Sequence, residues 1–209
     1  MDLKLALSLV CLALATGIGC AGSSAQACRA ESEEELDALL AGEALCDIQV
    51  IDLGGLEQLT VEGAQMGAYG LDVYTNTNLQ VLSAAESEMS YLIVKENLAL
   101  SQVSLSDSVI AGVSVIDNSV LDLKVSELIV SGSFRVYSEP MTELVIADSQ
   151  IQFLDLFDLD DLRSLDLASS NIEELTIQNC PLLSVAGIER ANFLHCGNFD
   201  DAPCGTPNL

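Results

Sequence analysis

The most constraining feature of this sequence is a nine-residue aliphatic template that recurs along the middle of the chain. The template reads L-x-x-L-x-L-x-x-N/S, with any aliphatic residue at the L positions. Its two central aliphatic residues lie on the same side of an extended strand, so each copy predicts one half-buried strand. Full copies begin at Met89, Leu100, Ile110, Val125, Met141, Leu162 and Ile172, and a partial copy begins at Ile151.

The spacing of the copies predicts a chain that coils on itself. Most copies start 10 or 11 residues apart, with steps of 15 or 16 around Val125. Two such half-units make one coil of about 21 residues, which lies within the range of leucine-rich repeats. One half-unit cannot bury its apolar side alone, so the opposite strand and the next coil must cover it. The ninth residue (Asn, Ser or Cys) is expected to hydrogen-bond the backbone of the turn.

A β-sandwich of alternating strands is the competing fold. Sandwich strands do not share one nine-residue template, so we favour the solenoid. Residues 64–88 follow the template poorly and predict a protruding loop, and residues 134–140 resemble a long insertion. Four aliphatic residues in the first of these segments suffice for one coil, namely Leu71, Val73, Leu79 and Leu82.

The N-terminal segment has the anatomy of a secretory signal peptide. Lys4 precedes an apolar stretch over residues 5–15, which is too short for a durable transmembrane helix. Two processing sites compete: Gly19-Cys20 resembles a bacterial lipobox, and Ala25-Gln26-Ala27 is an A-x-A cleavage signal. Lipidation of Cys20 would leave Ala21 in second place, which resembles the outer-membrane sorting signal. Both sites predict an extracytoplasmic protein, either an outer-membrane lipoprotein or a secreted one.

A capping helix is predicted between Cys28 and Cys46. Ser32 and Glu35 have the spacing of a capping box, and acidic residues fill the first turn. Leucines at positions 36, 39 and 40 then share one helical face. The helix is expected over residues 33–41, where it would cover the open end of the solenoid.

The cysteines of the mature chain lie near its two ends, as expected in an oxidising compartment. Cys28 and Cys46 are expected to close the N-terminal cap, and Cys196 and Cys204 the C-terminal loop. Spacing alone does not determine this connectivity. Cys180 is left over and is expected to be a small, buried hydrophobic residue.

Parts of the chain resemble a known group of repeat proteins. Residues 162–167 (LRSLDL) and 172–183 (IEELTIQNCPLL) look like bacterial leucine-rich repeats of the short alternating type. The cysteine-bounded start and the ending at residues 196–204 (CGNFDDAPC) are similar to receptor L-domain-like proteins. The resemblance covers about residues 28–204. It implies a right-handed solenoid and a recognition role, and it supplies no catalytic residues.

The charge of the chain excludes one class of partner. There are 32 acidic and 7 basic residues, giving a net charge of -25. Nucleic-acid binding needs a Lys/Arg patch to neutralise phosphates, so we do not expect it. Basic proteins, cationic polymers and divalent cations remain compatible partners. The simplest interpretation is that the acidity keeps an exported protein soluble.

Candidate chemistry is sparse. The single histidine, His195, is expected to be structural, and no nucleophile-elbow, P-loop or zinc-protease motif is present. Asp158, Asp160 and Asp161 are weak candidates for a cation site, because they lack the glycine and terminal glutamate of an EF-hand loop. A solvated acidic face is the simpler interpretation of these residues. Ile129 and Val145, at outward positions of the predicted strands, are candidates for an apolar patch that contacts a partner, or for residues facing the other side of the coil.

These patterns predict a mostly-β protein: a right-handed leucine-rich-repeat-like solenoid of alternating 10/11-residue half-units with an N-terminal capping helix. The predicted domains are a signal peptide and tether (1–27), a disulfide-closed cap (28–46), the solenoid (47–183) and a C-terminal cap (184–209). We expect a binding or scaffold protein for a protein or glycan, with no cofactor, no catalytic residues and membrane contact only through Cys20. The alternatives are a carbohydrate-active hydrolase, which would use paired carboxylates, and a purely structural envelope protein.

Overall fold

The computed structural model describes residues 27–41, 46–181 and 183–187, together with the backbone of residues 191–197. Within this part, the strands form two sheets, and all paired strands are parallel. Sheet A contains β1 (Ala27–Ala30), β2 (Asp47–Ile51), β4 (Leu71–Tyr74), β6 (Glu88–Lys95), β8 (Val109–Ile116), β10 (Ile129–Tyr137), β12 (Gln150–Phe157), β14 (Asn171–Gln178) and β16 (Ala191–Gly197), in that spatial order. Sheet B contains β3 (Gln58–Glu62), β5 (Val81–Ala85), β7 (Gln102–Ser106), β9 (Asp122–Ser126), β11 (Glu143–Ala147), β13 (Ser164–Asp166) and β15 (Ser184–Ala186).

From β2 onward the chain alternates between the sheets, so successive coils stack into a β-solenoid of about seven turns. The predicted mostly-β solenoid is therefore confirmed. Both sheets continue through β15 and β16, within the range assigned from the sequence to the C-terminal cap. The strands from β2 to β14 bury alternate side chains between the two sheets, apart from the additionally buried Asp72 of β4, and the resulting core is almost entirely aliphatic.

Stacked coils repeat every 20 or 21 residues along most of the solenoid. Leu92 of β6 aligns with Val113 of β8, and Val113 aligns with Phe134 of β10. Phe134 aligns in turn with Leu154, and Leu154 with Leu175. All five side chains are buried, so the repeat length keeps like positions on the same side of the sheet.

The structure corrects the predicted register around Val125. That residue lies in the middle of a half-unit and not at its start; the buried positions of this half-unit are Val120, Leu123, Val125 and Leu128. The next half-unit begins at Val130 and buries Phe134 and Val136. Residues 134–140 therefore belong to a regular coil and are not an insertion. Ser133, predicted as a ninth-position residue, instead lies at a register shift within β10.

The irregular segment 64–88 contains a complete coil with a small bulge. The four predicted core residues, at positions 71, 73, 79 and 82, are fully buried, which confirms that they fill one coil. Gln65 bridges to Glu88 and Leu71 pairs with Leu92, so this coil has two more residues between its pairing points than the next coil. The expected protruding loop is thus reduced to a bulge near Gly67, whose φ of 58° suits glycine.

An asparagine ladder runs along the turn that follows sheet A. The side-chain oxygen of each ladder residue accepts the backbone N–H of the equivalent residue one coil earlier, at 2.9 Å for Asn76 to Asn97 and 3.0 Å for Asn97 to Asn118. The ladder amides also donate to carbonyls of their own coil and of the preceding coil. The predicted role of the polar ninth residue is confirmed, and the ladder ends at Glu139.

A serine ladder follows sheet B in the same manner. The hydroxyl oxygen of Ser108 accepts the N–H of Ser87 at 3.1 Å, and that of Ser170 accepts the N–H of Ser149 at 3.0 Å. The apolar Leu128 interrupts this ladder between its two halves. Cys180 occupies the ninth position after β14, where it is buried and free, as predicted.

Residues with left-handed backbone precede the ladder positions. In the turns after sheet B these include four acidic residues in consecutive coils, Glu86, Asp107, Glu127 and Asp148, with φ between 48° and 51°. Only glycine adopts this conformation without a steric penalty, although Asp and Asn tolerate it. The solenoid therefore carries a row of acidic residues along this edge, with one residue in each of these consecutive coils.

The N-terminal end is covered by helix α1 (Glu33–Leu40). Ser32 caps the helix by accepting the N–H of Glu35 at 3.2 Å, as predicted. Glu35 reaches back to the N–H of Glu31 at 3.0 Å, one residue earlier than a capping box requires. Leu36 is buried in the core, and the predicted disulfide between Cys28 and Cys46 joins β1 to the start of β2 with a Cα–Cα distance of 5.8 Å.

Candidate functional site

The outer face of sheet A carries most of the aromatic side chains of the described chain. The protein has four tyrosines and five phenylalanines. Among these, Phe134 fills the core, and five others point outward from sheet A in the alternation of its strands. We refer to these five residues as the aromatic face: Tyr74, Tyr91, Tyr137, Phe153 and Phe157.

The coil register places the outward side chains of sheet A in three rows. One row runs Tyr74, Lys95, Ile116, Tyr137, Phe157. The middle row runs Asp72, Ile93, Ser114, Arg135, Asp155. In the third row Tyr91 aligns with Gly112, and Ser133 with Phe153. The small residues Gly112 and Ser133 therefore lie between the two aromatic residues of the third row.

The C-terminal part of the aromatic face combines a tilted pair of rings with an ion pair. The ring centroids of Tyr137 and Phe157 lie 5.1 Å apart, a separation at which aromatic pairs attract each other. Arg135 Nε lies 3.3 Å from Asp155 Oδ2, and the Asp155 side chain is only 18% exposed. On its strand Asp155 stands between Phe153 and Phe157 on the same outer side. This part therefore presents large rings, one cation and one shielded anion together.

Towards its N-terminal end, the outer face of sheet A carries a polar cluster on β2, β4 and β6. Asp72 is only 8% exposed although it points outward, and its side chain is hydrogen-bonded to Gln49. Burial raises the pKa of Asp72, and the nearby Asp47 carboxylate raises that pKa further. Burial also raises the pKa of Tyr91, with Asp72 and Asp47 adding to the effect. The side chains of this cluster are therefore close enough to influence one another.

The outer face of sheet B is different. Its outward positions are mostly small, as in Ser83, Ser104, Ser106, Ser126 and Ala147. Lys124 is an exception and pairs with Asp122 at 2.8 Å. A depression of about 550 Å³ surrounds Lys124 and is bounded by Leu121 and Val145. Because it has no aromatic lining, this face offers less contact energy per residue to a partner than the aromatic face does.

A second depression, of about 310 Å³, lies at the bend of β10, β12 and β14. It is lined by Ile129 together with the polar side chains of Gln150, Gln152, Asn171 and Glu173. Ile129 therefore belongs to sheet A, whereas Val145 belongs to sheet B. The two residues do not form the shared apolar patch that the sequence had suggested, because they lie on different strands of different sheets.

The structure does not assemble the predicted cation site. Asp158 follows β12, and its Oδ1 accepts the side-chain amide of Asn179 at 2.7 Å, while Asp160 and Asp161 are exposed. Within the described residues, no three of the His, Cys, Asp or Glu side chains converge well enough to hold a metal ion. Asp160 and Asp161 therefore lie on an exposed acidic surface, whereas Asp158 is part-buried and bonded to Asn179.

Several sequence-predicted residues lie outside the described part of the chain. Cys20, the candidate for lipidation, precedes it, and Cys204 follows it. Cys196 and His195 belong to β16, which is described as backbone only, so the proposed pairing of Cys196 with Cys204 stays a prediction. The described chain contains no helix that is both long enough and apolar enough to cross a bilayer.

Sequence reasoning missed the aromatic face because its detection depends on the register of every coil. Tyr137 follows the buried Val136, and Phe157 follows the buried Leu156, so both point outward in equivalent places. The signal was an aromatic residue directly after the buried pair in three strands of sheet A, at Tyr74, Tyr137 and Phe157. The misplaced copy at Val125 concealed it at Tyr137. Scans against protein-family models and searches of curated proteins and of solved structures find no match to this chain.

Proposed function

We propose that this protein is an extracytoplasmic binding protein whose aromatic face recognises a protein or glycan ligand. The observation that carries the proposal is the placement of Tyr137 and Phe157 outside the solenoid, with Tyr137 36% exposed. Exposed aromatic clusters are costly to leave in water and are enriched at binding hot spots. Arginine is also enriched at binding hot spots, and Arg135 lies on the same strand as Tyr137.

The rigidity of the scaffold supports the same function. Both ladders fix the turns of the solenoid, so the outward rows of sheet A are held in place by the stacked coils. A preorganised surface loses little conformational entropy when it binds a ligand. We also propose kinship with leucine-rich-repeat proteins, which the L-x-L pattern and the asparagine ladder support.

Export is part of the proposal. The disulfide between Cys28 and Cys46 fits a non-cytoplasmic, oxidising compartment. The signal-like N-terminal segment supports secretion or anchoring of a lipoprotein through Cys20 in the outer membrane. Mass spectrometry of the native N-terminus tests this part, because an acylated Cys20 and an unmodified Cys28 predict different masses. Detection of an uncleaved Met1 terminus would contradict export.

The experiment that tests recognition is a binding screen with the mature chain. The protein is immobilised and presented with fractionated cell-envelope extract and with a glycan array. We expect saturable binding of a defined protein or glycan, which persists at moderate ionic strength because aromatic contacts are not screened by salt. Absence of saturable binding in both screens would contradict the proposal.

A further inference from the structure

One carboxylate oxygen on the outer face of sheet A lacks the hydrogen-bond partner that its burial requires. Asp72 lies between the inward-pointing Leu71 and Val73 of β4, so its side chain points outward. Asp72 is nevertheless 92% buried, since only 8% of its surface is exposed. Among the described residues, Asp72 Oδ1 is the one buried side-chain oxygen or nitrogen without a hydrogen-bond partner. Leaving such an atom unsatisfied costs about 1–3 kcal/mol, and more when the group is charged.

A second carboxylate lies beside it. Gln49 of β2 pairs with Asp72 of β4 in the strand register, and Asp47 lies two residues before Gln49 on the same strand. Asp47 Oδ1 accepts the backbone N–H of Gly70 at 3.0 Å, and the Asp47 carboxylate is hydrogen-bonded to the hydroxyl of Tyr91. The Tyr91 ring lies directly over Gly70, where an added Cβ would be 2.5 Å from the ring carbons. Gly70 is thus required for Tyr91 to take this position beside the two aspartates.

Within the described residues, none of the ion pairs includes Asp47 or Asp72, so no described basic side chain neutralises the pair. Lys95 lies at a nearby outward position of β6, but its Nζ pairs with Glu96 Oε1 at 3.0 Å and not with either aspartate. The cluster therefore holds two uncompensated negative charges, and it also contains the amide of Gln49 and the hydroxyl oxygen of Tyr91.

We propose that Asp47, Gln49 and Asp72 bind a divalent cation of the Ca²⁺ class on the outer face of sheet A. Ca²⁺ prefers carboxylate, amide-carbonyl and water oxygens in a flexible arrangement, and two carboxylates match its charge. The unpartnered Oδ1 of Asp72 and the second oxygen of Asp47 are the first ligands, and Gln49 Oε1 and water supply others. Tyr91 borders the site through its hydrogen bond to Asp47. The site is separate from Asp158, Asp160 and Asp161 and does not depend on the proposed recognition function.

Two carboxylates with few further protein oxygens predict a weak site, with a Kd of about 10⁻⁴–10⁻³ M.

The test compares cation binding in the parent protein with binding in matched variants. Protein freed of cations with EDTA is titrated with Ca²⁺ by calorimetry, and its thermal unfolding is followed with and without ~10 mM Ca²⁺. Tb³⁺ serves as a second probe, because the chain lacks Trp and nearby Tyr91 can sensitise its luminescence. The variants are Asp72→Asn and Asp47→Asn. The control is the double variant Asp160→Asn with Asp161→Asn, which removes two exposed charges elsewhere.

We expect Ca²⁺ to raise the Tm of the parent and of the control variant alike, and to bind both with one saturable site. Asp72→Asn and Asp47→Asn are expected to weaken binding at least tenfold and to abolish the Tb³⁺ signal. If Asp72→Asn fails to fold, the half-buried Asp47→Asn variant decides the question. The proposal is overturned if Ca²⁺ leaves the Tm of the parent unchanged. It is also overturned if all variants respond equally, which would indicate general screening of the net charge of -25.

Discussion

Asn118 and Glu139 meet at a single oxygen, because Oε1 of Glu139 accepts both the backbone N–H of Asn118 at 2.8 Å and its side-chain amide at 2.9 Å. Oε2 of Glu139 accepts the N–H of Val120 at 2.9 Å. A carboxylate thus ends a ladder that asparagines build in the three preceding coils. The longer Glu side chain reaches one donor that an asparagine in this register does not satisfy.

Replacement of Glu139 by Gln tests this arrangement. The Gln carbonyl can still serve Asn118, but its amide would face the N–H of Val120, leaving two donors opposed. We expect a loss of about 1–3 kcal/mol in the free energy of unfolding, measured by chemical denaturation. Glu143→Gln, at an exposed position of β11, is the matched control and should change stability by less than about 0.5 kcal/mol. Equal effects of the two substitutions would show that the ladder terminus contributes nothing.

The acidic left-handed positions offer a stabilising substitution. Glu127 has a φ of 51°, a conformation that Asn tolerates better than Glu. We expect Glu127→Asn to raise the free energy of unfolding by about 0.5–1 kcal/mol. Glu127→Gln removes the same charge without easing the backbone, so it separates the two causes. A gain for Gln as large as that for Asn would assign the effect to charge repulsion in the acidic row.

The N-terminal disulfide should contribute measurably to stability. Cys28 and Cys46 are 18 residues apart, and closing a loop of this size stabilises a fold by about 3 kcal/mol in the chain-entropy account. We expect the double variant Cys28→Ser with Cys46→Ser to lower the free energy of unfolding by about 2–4 kcal/mol. Reduction of the parent protein should produce a comparable decrease. No decrease in either case would mean that α1 and β1 are held without the disulfide.

The raised pKa of Asp72 predicts how stability varies with pH when divalent cations are absent. A carboxyl whose pKa is higher in the folded than in the unfolded chain favours folding most at low pH. That contribution is lost as the pH rises through the folded-state pKa, which lies above the ordinary value of 3.8. We therefore expect the Tm in EDTA to fall over this range and Asp72→Asn to flatten the fall. The Asp160→Asn, Asp161→Asn control measures the general effect of net charge, and a control as flat as Asp72→Asn would contradict the assignment.

The general architecture was predictable because it rests on local periodicity. The L-x-L pairs, the ninth-position Asn97 and Asn118, and the capping Ser32 each determine a local geometry that the structure retains. The predicted register was wrong around Leu128. An apolar residue occupies a position of the serine ladder there, so the template can be matched to the sequence in the wrong phase. Glu139 was missed for a related reason, although it lies 21 residues after Asn118.

The candidate sites were less predictable than the fold. Whether Tyr137 and Phe157 point inward or outward depends on the register of their coils, so a local error changes the predicted face. The burial of Asp72 depends on neighbours from two other coils, among them Tyr91 over Gly70. Such contacts join residues about 20 positions apart, and no local sequence pattern predicts them. The sequence instead drew attention to Asp158, Asp160 and Asp161, which are conspicuous because they are close together in the chain.

The most direct test of the central claim is the affinity of the ligand identified in the screen for two matched double variants. Tyr137→Ser with Phe157→Ser removes two rings from the aromatic face, and Leu121→Ser with Val145→Ser removes two exposed aliphatic residues at sheet B. Equilibrium binding should weaken at least tenfold in the first variant, because losing one hot-spot residue typically costs about 2 kcal/mol or more. The second variant should bind as the parent does. Unchanged binding by the first variant, or equal losses in both, would contradict the assignment of the aromatic face as the recognition surface.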